Sequence, residues 1–222
     1  LTIGRSGWKA SNPTVRAQSA EAFSGDIGIG SPDKPAPWGD CTERQTECRG
    51  MPNGEQKRLG ATEAPDPVLD LVTFYSENLA VPVRRKVDDP EVLRGKEIFH
   101  AAGCTGCHRP KYVTSRKAPN AAHRFQLIWP YTDLLLHDMG SALSDDRPVG
   151  DAQGNEWRTP PLWGIGLTKT VNGHTRFLHD GRAQNLLEAI LWHGGEAQTA
   201  RDLVVDLAPD DRTALIRFLE SL

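Results

Sequence analysis

The stretch Cys104-Thr105-Gly106-Cys107-His108 decides the fold of this chain, and it is the one CxxCH among the 222 residues. Two cysteines at this spacing can bond to the two vinyl groups of a haem, and the histidine that follows can bind the iron. The sequence therefore predicts one covalently bound haem c, attached through Cys104 and Cys107, with His108 as an axial ligand.

Zinc sites and thioredoxin-like redox motifs also contain CxxC, and both remain alternatives to haem attachment. A structural zinc ion takes four ligands, but the other two cysteines, Cys41 and Cys48, lie far upstream at a different spacing. A thioredoxin-like motif belongs to a βαβ unit, whereas the pattern before Cys104 predicts a helix. The residues therefore favour haem attachment.

The composition favours a loop-rich protein without nucleic-acid or membrane partners. The chain contains 21 glycines and 16 prolines, and its formal net charge is −3 with 25% charged residues. This charge balance does not suggest a nucleic acid or an anionic membrane surface as partner. No apolar run approaches the ~18 residues that a membrane span requires, so we predict none.

Cysteine usage predicts a periplasmic or extracellular protein, because covalent haem attachment takes place outside the bacterial cytoplasm. In the Pro/Gly-rich stretch 31–54, Cys41 and Cys48 can close a small disulfide loop, and two free thiols are the alternative. The chain begins at Leu1 with neither an initiator methionine nor a signal peptide. We therefore expect a mature product or a piece of a longer protein.

The first part of the chain, residues 1–86, is expected to form a loop-rich extension. It is polar and rich in turn formers, and it has helix signals near 14–23 and 67–79. The second of these helices carries a broad apolar face. Residues 26–62 between them are predicted to form a long irregular loop.

Residues 87–222 are expected to form the haem domain. Asp89 is a predicted N-cap and Pro90 the first residue of a helix that ends just before the CxxCH. Gly95 lies inside this helix, where glycine costs about 1 kcal/mol, so we expect another helix to approach it closely. That partner is expected to be the last helix, which runs from Pro209 to the end of the chain, and one further helix is predicted over 185–192.

Motifs across the chain resemble the second haem domain of bacterial di-haem cytochrome c peroxidases and their MauG-type relatives. The shared motifs follow the CxxCH in the order LHDMG (136–140), RTPPL (158–162) and FLHDG (177–181). The closer resemblance is to the di-haem oxidoreductases, sometimes labelled predicted thiol oxidoreductases. It extends over essentially the whole chain, and its segments are GRSGWKA (4–10), WRTPPLWGIGLT (157–168) and FLHDGRAQNLLEAILWHGGEAQ (177–198).

This resemblance implies a mainly α, cytochrome c-like haem domain with long irregular loops. Members of the family carry an earlier haem domain with its own CxxCH, so we expect this chain to be the C-terminal part of such a protein. Its function is then haem-mediated electron transfer within a peroxidase-like enzyme, between an upstream haem domain and a redox partner protein. The alternative is a self-standing mono-haem electron carrier, which a second CxxCH upstream of Leu1 would exclude.

The second axial ligand has three candidate solutions. Met139 is an intuitive choice, because a thioether opposite histidine is common in cytochromes c and raises the reduction potential. The resemblance instead places His193 at the family's distal ligand position, on the helix after the His-Asp-Gly motif that contains His179. We favour His193, which would give two imidazole ligands, over Met139 or an open position.

Several cationic side chains are candidates for binding the haem or a partner. Arg158 and Arg182 can pair with haem propionates, because a guanidinium binds a carboxylate through two parallel hydrogen bonds, although either can also be a solvated surface residue. A basic cluster after the CxxCH can attract an acidic redox partner, or it can be an ordinary solvated loop: Arg109, Lys111, Arg116 and Lys117.

Overall fold

The structure is a computed structural model and describes residues 2–222. These residues form a mainly α protein with eight α-helices and four short β-strands, which confirms the predicted class. They divide into two compact units. The first unit runs from the described N-terminus to Gly7 and over Ser11–Ala80, and the second comprises Trp8–Ala10 and Val81–Leu222. The sequence predicts a boundary at 86/87, six residues later than the observed division at 80/81.

The first unit contains helices α1 (Val15–Ile27), α2 (Thr46–Arg49) and α3 (Asp66–Glu77). The Thr14 side chain caps α1 by accepting a hydrogen bond from the Ala17 amide, which satisfies one of the free N–H groups at a helix start. α1 packs against α3. The Arg16 guanidinium holds the two helices and the intervening loop together by binding three carboxylates: Asp33, Asp66 and Asp70.

Two further features of this unit bear on the sequence predictions. Cys41 and Cys48 form a disulfide, so the disulfide alternative is confirmed over two free thiols. The apolar face of α3 is largely exposed, and only Leu69 of this helix is buried. Its exposed members include three large side chains that are 63–69% accessible: Leu71, Phe74 and Tyr75.

The second unit is built on the crossing of α4 (Pro90–Ala101) and α8 (Pro209–Ser221). Asp89 caps α4 as predicted, by accepting a hydrogen bond from the Glu91 amide. Gly95 lies at the crossing, where an added Cβ would stand 1.9 Å from the Ala214 carbonyl oxygen. The expected close approach of the last helix at Gly95 is therefore confirmed.

An aromatic cluster forms the centre of this unit. Phe99 of α4, Phe218 of α8 and Tyr131 of the intervening segment have ring centroids 5.2–5.9 Å apart. Such pairs contribute about 0.5–1.5 kcal/mol each beyond the area they bury. All three rings are at most 3% exposed, so the cluster fixes where the chain after the CxxCH returns to the core.

Shorter elements complete the second unit. Strands β1 (Tyr112–Val113) and β2 (Leu127–Ile128) form one antiparallel hairpin, and β3 (Leu136–Asp138) pairs with β4 (Glu156–Arg158). Three helices follow: α5 (Thr168–Asn172), α6 (Leu186–Leu191) and α7 (Gln198–Val205). α6 lies within the predicted helix 185–192, whereas the strands, α2, α5 and α7 were not predicted, because each is short. Across residues 2–222, none of the helices has the length and apolar character that crossing a membrane requires.

Candidate functional site

The second unit contains a cavity of about 340 Å³ with mostly apolar walls. Cavities of about 300–1,000 Å³ are typical of ligand and cofactor sites. Five of the six residues predicted to bind the cofactor line this cavity, although they are far apart in the sequence: Cys104, Cys107, His108, Arg158 and His193. The fold therefore assembles one candidate site from α4, β4 and the end of α6.

The two cysteines of the CxxCH enter the cavity wall just after α4. Gly103 adopts φ 79°, which stops the helix, and a 3-10 turn over Cys104–Gly106 follows. Both thiols are free. Burial raises the pKa of Cys104 to about 11 and also raises the pKa of Cys107. Redox-active and zinc-binding cysteines have a lowered pKa, so this environment differs from a thioredoxin-like site.

The geometry also bears on the zinc alternative. Cys41 and Cys48, which would have to supply a second pair of thiolates, are bonded to each other. Their sulfur atoms are therefore not available as zinc ligands, since the thiolate is the form that binds metal.

His108 is held by a backbone carbonyl. Its Nδ1–H donates to the Tyr131 carbonyl oxygen at 2.9 Å, which leaves Nε2 unprotonated and able to bind a metal. Burial lowers the pKa of His108 to about 4, so the ring is neutral at pH 7. Tyr131 has φ 52°, a conformation rare for a bulky residue, and its ring is anchored in the aromatic cluster.

His193, which also lines the cavity, is held in the same way. It follows α6 directly, and its Nδ1–H donates to the Ala189 carbonyl oxygen at 2.7 Å. Burial lowers the pKa of His193 as well, so this ring too is neutral with Nε2 as its available ligand atom. Neutral imidazole is the form that binds a metal.

The separation of the two imidazoles fits one iron between them. Their ring centroids are 6.5 Å apart, with an interplanar angle of 45°. Two imidazole–metal bonds of about 2 Å, plus about 1 Å from each nitrogen to its ring centre, give an expected separation of about 6 Å. Together with the free thiols and the apolar walls, the residues present fit a covalently attached haem.

The turn after His193 packs tightly against the segment that contains Met139. A Cβ on Gly195 would stand 2.2 Å from the Asp138 carbonyl oxygen, and Gly195 has φ 52°. Met139 itself lines the cavity, as the competing prediction for the axial ligand requires, but the ring of His193 is the one that neighbours His108.

The two arginines predicted to bind propionates occupy different places. Arg158, on β4, lines the cavity, and burial lowers its pKa, so it is a cation in a partly desolvated position. Arg182 is absent from the cavity lining among the described residues, and its guanidinium binds Asp180 and the Ala142 carbonyl oxygen. The same group lies 4.9 Å from the Trp192 ring. Arg158 is thus the better placed of the two for an anionic group in the cavity.

A stack of two rings and a lysine ammonium forms or borders another part of the wall. Trp157 and His179 stack with centroids 3.6 Å apart at 13°, and the ammonium of Lys9 lies 3.6 Å from the Trp157 ring. Lys9 is only 6% exposed and binds Asp145 and the carbonyl oxygens of Gln153 and Gly154. Cation–π contact of this kind stabilises a lysine that lies against an indole. His179, from the His-Asp-Gly motif of the family, therefore lines the cavity beside Trp157.

A histidine clamped by two carboxylates lies at the edge of the cavity. His137 Nε2 is 2.9 Å from an Asp133 oxygen and Nδ1 is 2.8 Å from a Glu196 oxygen. Burial by itself lowers the pKa of His137, but the bonds to Glu196 and Asp133 outweigh it and raise the pKa. The clamp joins β3 to the turn after His193.

Comparison with known families gives one finding. A sequence model described as "di-haem oxidoreductase, putative peroxidase" matches residues 1–222, the whole chain. Comparison with curated proteins found no match.

Proposed function

The chain belongs to the di-haem oxidoreductase family, and from that premise we propose that it relays single electrons through one haem c within a peroxidase-like enzyme. In this proposal Cys104 and Cys107 would attach the haem, and His108 and His193 would hold its iron. The observation that carries the proposal is the 6.5 Å separation of two neutral imidazoles across a cavity that also contains both free thiols.

The cavity residues have separate roles in this function. A haem bound there supplies one-electron chemistry at its iron. The carbonyls of Tyr131 and Ala189 orient the two imidazoles, and the apolar walls keep water away from them. Arg158 is the proposed partner of a propionate, because it lines the cavity and a guanidinium can bind a carboxylate through two parallel hydrogen bonds.

Two imidazole ligands favour electron relay over reaction with peroxide. If His108 and His193 both held the iron, they would leave it no open position for a small oxidant. We therefore propose that the peroxide reaction belongs to a second haem, as the family description of two haems suggests. This chain contains a single CxxCH, so the second haem is proposed to lie in an upstream domain of the same protein.

The exposed apolar face of α3 supports a further domain. Large exposed apolar patches usually mark interaction sites, and Leu71, Phe74 and Tyr75 are each at least 63% exposed. We propose that the upstream haem domain covers this face. The cytochrome c-like character of residues 87–222 is part of the same proposal.

We also propose a periplasmic or extracellular location. The Cys41–Cys48 disulfide supports it, because disulfides persist in oxidising compartments. Covalent haem attachment takes place in the same compartments.

The decisive experiment compares the two cysteine pairs. The protein is produced in a bacterial periplasm with a haem-attachment system, and covalent haem is measured by pyridine haemochrome absorbance and by mass spectrometry. We expect haem in the wild type and in a Cys41→Ser/Cys48→Ser control, and its loss in Cys104→Ser/Cys107→Ser. A wild-type protein without covalent haem would overturn the proposal.

A further inference from the structure

The segment Arg109–Pro130, which we call the basic hairpin, exposes a set of basic side chains on the second unit. Residues 109–132 contain no acidic residue in a chain whose formal net charge is −3. They contain five basic side chains, all of them exposed: Arg109, Lys111, Arg116, Lys117 and Arg124. None of the five forms an ion pair with a described carboxylate.

The same hairpin exposes large apolar side chains. Val113 and Leu127 are register partners of β1 and β2, so their side chains lie on the same face, and they are 55% and 49% exposed. Phe125 and Trp129 are 60% and 47% exposed. The Arg116 guanidinium lies 4.4 Å from the Phe125 ring, which combines cation and aromatic in one contact.

The hairpin is rigidly connected to the candidate site. Arg109 follows His108 directly, and its carbonyl oxygen accepts a hydrogen bond from the Thr132 amide. Tyr131, next to Thr132, provides the carbonyl that orients His108. Both ends of the hairpin therefore meet at the residues that hold the proximal imidazole.

We propose that the basic hairpin is the docking surface for an acidic electron-transfer protein, an inference that rests on the proposed function. Uncompensated positive charge attracts an acidic partner over long range, and exposed aromatic and arginine side chains dominate binding in the contact itself. An anionic membrane surface would also attract these basic side chains, but it would supply no electron. Because the hairpin begins directly after His108, a redox protein is the partner that suits it.

The hairpin also has internal support that keeps this surface formed without a partner. The Thr114 hydroxyl donates to the His123 carbonyl oxygen and accepts from the Gln126 amide. The Arg124 guanidinium donates to the carbonyl oxygens of Ala118 and Pro119. A preformed surface loses less conformational freedom on binding than a flexible loop would.

The test uses the full chain with its haem and, as the probe, plastocyanin, a small acidic blue-copper protein. One electron passes from the ferrous protein to the cupric ion, with no bond made or broken, and stopped-flow absorbance gives the second-order rate constant. Arg116→Glu/Lys117→Glu reverses two exposed charges of the hairpin. Lys57→Glu/Arg58→Glu is the matched control, because it reverses an adjacent exposed pair in the first unit.

At low ionic strength we expect the hairpin variant to react at least about 10-fold more slowly than the wild type, with the difference vanishing at high salt. The control variant should stay within about 2-fold. Leu127→Gln should lower the rate at all salt concentrations, because it removes apolar contact. Fluorescence anisotropy with dye-labelled, copper-free plastocyanin gives an independent measure of binding and should show the same order of variants.

Equal rates for the hairpin and control variants would overturn the inference. Binding to vesicles with 25% phosphatidylserine that depends on Arg116 and Lys117, without an effect on the plastocyanin rate, would replace it with a membrane-binding surface. Oxidation of the ferrous protein by neutral benzoquinone should be equal in all variants. If even the wild type fails to react with benzoquinone, the proposed function itself is wrong.

Discussion

His108 and His193 each have their tautomer selected by a backbone carbonyl. The carbonyl accepts a hydrogen bond from Nδ1, so the lone pair remains on Nε2, and burial keeps both rings neutral. Neither partner has a sequence signal, because any residue can present a carbonyl oxygen. At the residue scale, the two imidazoles are therefore oriented for metal binding by backbone carbonyls, which are not part of any sequence motif.

We expect His193→Ala to convert a low-spin haem spectrum to a high-spin one, because it removes one of the two proposed imidazole ligands. Absorbance and electron paramagnetic resonance measure the change. Met139→Leu is the matched control and should leave the spectrum low-spin. The opposite result, with only Met139→Leu changing the spectrum, would assign the second ligand to Met139.

The His137 clamp predicts a pH-dependent contribution to stability. Because the folded pKa of His137 is raised, this contribution is fully present below the unfolded pKa of about 6.5 and is lost as the pH rises through the folded value. The lowered pKa values of His108 and His193 affect stability only at more acidic pH. Urea unfolding between pH 7 and 9 should therefore show a decline in the wild type that is weaker in His137→Gln. If the free energy of unfolding depended on pH with the same slope in the two proteins, the predicted contribution of the His137 clamp would be wrong.

At the scale of elements, two close backbone approaches determine the site. Gly95 lets α4 touch α8, which places the CxxCH at the end of a fixed helix. Gly195 lets the turn after α6 touch the end of β3, which places His193 opposite His108. A side chain at either position would separate the paired elements, since the interior has no spare volume for it.

We expect Gly195→Ala to destabilise the protein and to disturb the coordination of His193. Gly150→Ala is its control, because Gly150 has φ 60° but no atom within 4 Å of an added Cβ. The control should cost about 1 kcal/mol from the backbone conformation alone. Gly195→Ala should cost about 1–3 kcal/mol more from the clash, as measured by urea unfolding, and should increase the high-spin fraction. Equal costs for the two variants would mean that the approach at Gly195 relaxes easily.

For the whole molecule, the single CxxCH and the two-haem family together predict that this chain binds one of the two haems. We expect reductive titration of the haem absorbance to finish after one electron per chain, and iron analysis to give one iron per chain. The Cys104→Ser/Cys107→Ser variant should show neither signal. Two electrons and two irons per chain would mean that this polypeptide binds both haems of the family.

The sequence by itself determined the CxxCH motif, the helix that precedes it and the family, because these depend on local residue spacing and on helix-start chemistry. Asp89 and Pro90 predicted where α4 begins, and Gly95 predicted its close approach to the last helix. The sequence also predicted the pairing of Cys41 with Cys48, as one of two alternatives. Only the tertiary structure decided that His193 lies against His108, that Arg158 but not Arg182 lines the cavity, and that Tyr131 and Ala189 orient the imidazoles. These contacts join residues that are distant in the sequence. They depend on backbone atoms and on packing, and backbone atoms and packing leave no motif in the amino-acid sequence.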